Sequence, residues 1–256
     1  MNIYGFIPAR MAASRFPGKP LALIKNIPMV KHVYERALFF KKWKNLFITT
    51  CDNEILQFSK KNNYPVIMTS NKHKRALDRV YEAAKNIKIV RDNDIVICVQ
   101  GDEPLLTPNM ISNSIKPLLN SSVIKGTVLA MEIVEEEQFR DPNILKIIHK
   151  KNGEVLYTSR NPIPYCKKFS KKLNAKRIYG IFAFRWKFLK KFNQTKESSL
   201  EILESCDSNR ICESYGGQFI AFQKYKKSYS VDCLQDLKKV EKFMSKDKLF
   251  LKYKNK

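Results

Sequence analysis

Predominantly apolar runs at residues 3–7, 45–50, 66–69 and 94–99 alternate with segments at 29–39, 55–61 and 76–87 whose apolar residues recur three and four apart. The first pattern is that of short buried strands, the second that of helices with one buried stripe. Strand, helix and strand in repetition mean βαβ units, and hence a mostly parallel sheet covered by helices. Sheets of this kind place ligands at the carboxyl ends of their strands. The segments that follow residues 3–7 and 94–99 are therefore expected to face one crevice. Further strands are expected at 126–133, 144–149 and 155–157, and residues 237–256 read as an amphipathic helix with a basic, frayed end. Lys25 to Pro28 reads as a hairpin or turn leading into the helix that opens near Met29.

With 256 residues, 44% of them hydrophobic, the chain can bury a sizeable core as one large α/β domain or a domain with a smaller lobe. It has no run of 18 apolar residues, and Met1-Asn2 leads straight into a strand rather than a signal peptide, so no membrane span and a cytoplasmic location are expected. Cys51, Cys98, Cys166, Cys206, Cys212 and Cys233 are scattered without a C-x-x-C spacing and read as reduced thiols. His32, His73 and His149 form no pair at metal-ligand spacing. The formal net charge of +24 raises a nucleic-acid or anionic-membrane partner. The lysines are spread over nearly every surface segment, however, and no zinc-finger, RNP or basic-zipper pattern is present, so dispersed surface charge is the simpler account and nucleic acid is not the expected partner.

The chemistry is concentrated at two strand ends. Residues 8–20 carry Arg10, Arg15 and Lys19 on one short loop, with the Ser14 hydroxyl, Gly18, and Pro8, Pro17 and Pro20 to stiffen it. Fixed cations and close backbone at a strand-to-helix turn suit a polyphosphate. The spacing is not that of a Walker loop. Asp102, in Gln100-Gly101-Asp102-Glu103-Pro104, follows a fully apolar strand beside that loop, where a Mg²⁺ ligand belongs, since magnesium takes one or two carboxylates plus substrate phosphates. Asp232 is a second carboxylate candidate, or else the N-cap of a helix starting near Leu234. Asp52 either touches a nucleotide or caps the helix that follows it.

Taken together, these blocks resemble the 3-deoxy-manno-octulosonate cytidylyltransferases (CMP-KDO synthetases) within the CMP-sugar-acid synthetases. Matching segments run at 7–21, 49–52, 68–79, 99–104, 141–146, 157–164, 180–185 and 231–237. The resemblance implies a Rossmann-like nucleotidyltransferase fold with a mostly parallel mixed sheet. It implies one domain over 1–256, with a smaller lobe at about 126–185 that covers the sugar and provides contacts in a homodimer. It also implies a cytidylyltransferase that joins CTP to an acidic 2-keto-3-deoxy sugar, 3-deoxy-manno-octulosonate first, by attack of the anomeric 2-hydroxyl on the α-phosphorus, as a step toward lipopolysaccharide or capsule. Arg15, Lys19 and Asp102 would be catalytic. Arg10, Ser14, Arg15, Lys19, Asp52, Arg75 and Gln100 would hold the nucleotide, and Gln100, Arg160, Tyr179, Glu201 and Arg210 the sugar. Asp102 and Asp232 would hold Mg²⁺.

The chain departs from that pattern in the base and sugar regions. Where the resemblance leads one to expect His-x-Ser-Gly-Thr-[Asp/Glu]-Arg, it reads His73-Lys74-Arg75-Ala76-Leu77-Asp78-Arg79, so Arg75 or backbone groups have to supply the contacts to the base. A histidine expected before Gly-Ile-Tyr-Gly is replaced around Tyr179. The same chemistry on an 8-amino or nine-carbon ulosonic acid stays open, as does a basic nucleic-acid-binding protein on this scaffold.

Overall fold

The computed structural model describes residues 1–12 and 15–255, so Ser14 lies outside the described residues. The chain divides into two compact units, one of Met1–Val90, Val96–Ile111 and Lys227–Lys256, the other of Arg91–Ile95 and Ser112–Lys226.

In the first unit the strands Ile3–Pro8, Asn45–Thr50 and Val66–Met68 pair in parallel, and Ile95–Val99 lies on the other side of Ile3–Pro8. Phe6, Ile7, Ile48 and all five residues of Ile95–Val99 are fully buried, as near-continuous apolar strands covered on both faces should be. The helices Asn53–Lys61 and Ala76–Asn86 pack on that sheet and bury Ile55, Leu77 and Val80, and the helix Met29–Leu38 buries Val30, Val33 and Ala37. These elements agree with the apolar pattern to within one or two residues. Lys25 and Asn26, at φ 50° and 62°, make the two-residue turn of a hairpin between Leu23–Ile24 and Ile27–Pro28.

The carboxyl-terminal segment is a correction to the expected frayed helix. The helix Leu234–Met244 ends there, and a 3-10 turn, Phe250–Lys252, folds back so that Phe250 and Tyr253 enter a core with Ile24, Met29, Val231 and Val240. Tyr253 is held by a polar relay that amphipathic spacing does not reveal. Its hydroxyl lies 2.8 Å from His32 Nδ1 and accepts from Arg36 Nε at 2.9 Å, while His32 Nε2 meets the carbonyl of Ile24 at 2.8 Å. Arg36 also donates to Asp247 at 2.7 Å.

In the second unit Gly126–Glu132 pairs antiparallel with Lys176–Arg185 and parallel with Gln218–Gln223, and Lys146–His149 pairs with both Lys176–Arg185 and Val155–Ser159. Residues 126–185, expected as the smaller lobe, fall within this unit. The helices Trp186–Gln194, Ser199–Glu204 and Asp207–Ser214 complete it. The α/β class and its mixed, mostly parallel strands are those expected. No helix among the described residues is long and apolar enough to cross a membrane.

Candidate active site

The loop after Ile3–Pro8 is shaped by its own backbone. Gly18 has φ 74°, a left-handed conformation natural to glycine, and its N–H donates to the Met11 carbonyl at 2.9 Å. Pro20 then sits inside the 3-10 turn Lys19–Leu21, so Lys19 leaves the loop in a fixed direction. The Met11 N–H donates to Asp52 Oδ2 at 2.8 Å, which ties the loop to the end of Asn45–Thr50. Asp52 occupies the N-cap position of Asn53–Lys61, but its side chain makes no capping bond.

Lys19 is the centre of the site. Its ammonium donates to Asp102 Oδ2 at 2.8 Å, to the Val231 carbonyl at 2.8 Å and to Asp232 Oδ1 at 3.5 Å. Burial works against its charge, but the Asp102 and Asp232 carboxylates outweigh it and hold the lysine pKa above its ordinary value. Arg15 joins the same group, with a nitrogen 2.9 Å from Asp232 Oδ1. Asp232 is thus not a helix cap. Cys233 holds that place, and Asp236 accepts the N–H groups of Asp232 and Cys233, both at 3.1 Å.

Asp102 reaches this point because Gly101 lets two strand ends meet. A Cβ at residue 101 would stand 2.7 Å from the Pro8 carbonyl oxygen, so only glycine fits without displacement. The Val231 N–H donates to the Asp102 carbonyl at 2.9 Å, which fastens the carboxyl-terminal segment against the same turn.

One cavity in the first unit takes in most of this constellation. Its lining includes Arg10, Arg15, Lys19, Gln100, Asp102 and Asp232, together with His73, Lys74, Arg75, Ala76 and Arg79 from the far strand end. Glu82 organises that last segment by accepting the Ser70 N–H at 3.0 Å and bonding the His73 ring. Arg79 is nearly buried and donates to the Thr69 hydroxyl, to the Ser70 carbonyl at 3.3 Å and to Cys51 Sγ at 3.5 Å. Of the nucleotide residues expected from the sequence, Arg10, Arg15, Lys19, Arg75 and Gln100 come together on this cavity, whereas Asp52 stands behind the loop. The Val231 carbonyl, a backbone acceptor far along the chain, had no signal in the sequence.

Apart from Gln100, the residues expected at the sugar lie in the second unit. Arg160 donates to the carbonyls of Glu204 at 3.1 Å and Pro142 at 3.0 Å, and its N–H meets the Glu204 carboxylate at 2.7 Å. That carboxylate also accepts from the Tyr157 and Ser159 hydroxyls, each at 2.7 Å, and these bonds with Arg160 outweigh burial to keep its pKa low. Glu201 and Arg210 are turned onto each other, in a buried two-pronged pair at 2.7 Å for both contacts, with the guanidinium over the Phe192 ring. Tyr179 is fully buried. Lys146 is buried as well, donating to the carbonyls of Asp141 at 2.8 Å and Ile144 at 2.6 Å, and burial lowers its pKa to about 8.

The sequence pattern that defines the cytidylyltransferases matches residues 4–252. The chain belongs to the cytidylyltransferase family. It is 38% identical over 248 residues to a 3-deoxy-manno-octulosonate cytidylyltransferase of Thermodesulfovibrio yellowstonii, covering 93% of this chain and 96% of that one. A protein of the same description from Haemophilus influenzae is 35% identical over 260 residues, covering 96% of this chain and all of its own length (100%). A solved structure of CMP:2-keto-3-deoxy-manno-octonic acid synthetase complexed with CTP superposes with a TM-score of 0.84 at 30% identity, over 96% of this chain and 99% of that one. The cytidylyltransferase fold and the family resemblance expected from the sequence are therefore both borne out.

Proposed function

We propose that the chain transfers the cytidylyl group of CTP to 3-deoxy-manno-octulosonate, giving the CMP-sugar and pyrophosphate. The observation that carries this reading is the convergence of Lys19 and Arg15 with the Asp102 and Asp232 carboxylates at the carboxyl ends of two buried strands. The similarity to named cytidylyltransferases over almost the whole chain supports the choice of substrates.

In this reading Arg10, Arg15 and Lys19 bind the triphosphate and hold its α-phosphorus for attack. The sugar's anomeric 2-hydroxyl oxygen forms the new bond to the α-phosphorus and gives up its proton to solvent, while the bond from the α-phosphorus to the bridging oxygen of the β-phosphate breaks and pyrophosphate departs. The residues need no covalent chemistry of their own, since fixed cations stabilise charge on the phosphate oxygens and positioning supplies the rest. The donor set fits Mg²⁺. Two hard oxygen donors, Asp102 Oδ2 and Asp232 Oδ1, already turn toward one cation, the Lys19 ammonium. Among the described residues no cluster of three or more such side chains could hold a metal alone, so substrate oxygens would complete the coordination. When bound there, Mg²⁺ would neutralise phosphate charge and polarise the α-phosphoryl group. Asp102 and Asp232 would hold it, while Gln100 contacts the sugar acid. A homodimer in the cytoplasm belongs to the same proposal.

The test is pyrophosphate release from CTP and 3-deoxy-manno-octulosonate with Mg²⁺, then with a chelator, and with 8-amino and nine-carbon ulosonic acids in parallel. Mg²⁺-dependent release with 3-deoxy-manno-octulosonate is expected. Turnover only with another acid would move the substrate, and silence with every acid would overturn the reading.

A further inference from the structure

Asp232 stands on a stretch of chain that is neither helix nor strand. Residues 224–233 follow the strand Gln218–Gln223 and precede the helix Leu234–Met244, so individual hydrogen bonds rather than a ladder set their path. A carboxylate that holds a divalent cation depends on such bonds, because metal affinity falls when the groups that orient a ligand are lost.

Toward the helix, Asp232 is fixed by Asp236, which accepts its N–H at 3.1 Å. Ahead of it, two bonds run to the turn that follows Ile95–Val99. The Val231 N–H donates to the Asp102 carbonyl at 2.9 Å, and the Ser230 hydroxyl donates to Glu103 Oε1 at 2.6 Å. Neighbouring residues on one segment thus meet neighbouring residues on the other, which fixes the angle between the segments as well as their separation. Glu103 is only 3% exposed, and a glutamate is seldom buried so deeply unless it is paired. Its backbone is tied into the turn, the N–H donating to the Gln100 carbonyl at 3.3 Å and the carbonyl accepting from the Leu106 N–H at 3.1 Å. Ser230 therefore finds a fixed acceptor, at a length typical of the stronger hydroxyl-to-carboxylate bonds. Asp102 and Asp232 line the cavity, while the residues beside them, Glu103 and Ser230, are turned onto each other.

We propose that Glu103 and Ser230 are positioning residues, whose hydrogen bond sets the Asp232 carboxylate opposite Asp102 and so governs how tightly the two hold a divalent cation beside the triphosphate. The inference rests on the nucleotide-transfer reading above. Both residues act through Asp232, without touching the cation or the reacting atoms themselves.

The experiment measures Mn²⁺ binding in the presence of CTP by electron paramagnetic resonance, with CTP alone as the blank, for the natural chain, Ser230→Ala, Glu103→Ala and the double variant. Mn²⁺ takes the same oxygen ligands as Mg²⁺. Melting temperatures show which variants fold, and pyrophosphate release at varied Mg²⁺ runs alongside. Ser230→Ala is expected to weaken Mn²⁺ binding by about 10-fold and to raise the half-saturating Mg²⁺ by a similar factor, with a smaller effect on kcat at saturating metal. The double variant should bind Mn²⁺ no more weakly than Glu103→Ala, because both substitutions remove the same bond. Ser230 is the less buried partner, so its variant decides the matter should Glu103→Ala fail to fold. Natural metal affinity in Ser230→Ala, with only a lowered melting temperature, would make the bond purely structural and overturn the inference while leaving the transferase reading intact. Losses that add in full in the double variant would overturn it too. If Ser230→Ala loses metal affinity as expected while the natural chain releases pyrophosphate with no acid, the transferase reading fails and the positioning role stands. Failure of the natural chain to bind Mn²⁺ beyond the CTP blank overturns both.

Discussion

Lys19 Nζ and Asp102 Oδ2 stand 2.8 Å apart although 83 residues separate them in the chain. The contact joins the cationic loop after the first strand to the carboxylate turn after Ile95–Val99, and it is the point at which fold becomes chemistry.

Replacing Asp102 by Asn keeps the shape of the turn and removes the charge that faces Lys19. Pyrophosphate release should drop by about 10²–10³-fold, the usual loss when one preorganised electrostatic contact is removed. The melting temperature should change little, because the Asp102 side chain is partly exposed. Full Mg²⁺-dependent activity in this variant would remove Asp102 from the phosphate and metal roles.

Gly101→Ala tests how closely the two strand ends must approach. The added methyl would lie 2.7 Å from the Pro8 carbonyl oxygen, a backbone atom that cannot swing away. A stability loss of about 1–3 kcal/mol is expected from such overpacking. Activity should fall with it, because Asp102 is the next residue. Unchanged denaturation and turnover would show that the strand ends can separate freely.

The pair Glu201 and Arg210 separates a structural role from the sugar-binding role implied by resemblance. Both side chains are almost wholly buried, at 0% and 2% exposure, so removing one partner strands a charge in the interior. Glu201→Gln or Arg210→Met should cost about 3–5 kcal/mol in urea denaturation. If stability holds and only the KM for the sugar acid rises, these residues act on the substrate instead.

His32 makes stability depend on pH. Burial, with the nearby Arg36 and Lys31 charges, lowers its pKa from 6.5 to about 4 despite the bond to the Ile24 carbonyl. The unfolded chain therefore takes up a proton between those values while the folded chain does not. The stability from neutral His32 is complete above pH 6.5 and disappears as the pH falls toward 4, a loss on the order of 3 kcal/mol. Denaturant titrations at neutral and mildly acid pH should show this slope, and His32→Asn should flatten it. An equal slope in both proteins would place the acid sensitivity elsewhere.

Much of this was legible in the chain itself. Apolar periodicity marked the strands and helices that frame the cavity, because burial on two faces or one stripe imposes that spacing on any sequence. Arg10, Arg15, Lys19 and Asp102 stood out for a local reason, each lying in the segment that follows an apolar strand. The helices Ser199–Glu204 and Asp207–Ser214 carried weaker signals, being short, and their stability comes from a capping box and the buried Glu201–Arg210 pair.

Asp232 could be read two ways, as a cap or as a ligand, since both uses need the same carboxylate in the same local pattern. Only the tertiary structure, by bringing Lys19 and Arg15 to it and giving the cap to Cys233 and Asp236, decides between them. The packing of the tail is hidden from the sequence for the same reason. Its basic composition suggests fraying, but Tyr253 is anchored by His32 and Arg36, more than two hundred residues away in sequence. Local pattern determines which segments form and which residue types stand at their ends. Which distant charges and hydroxyls meet is decided by folding, because the energy of a buried polar group depends on partners that sequence neighbours do not supply.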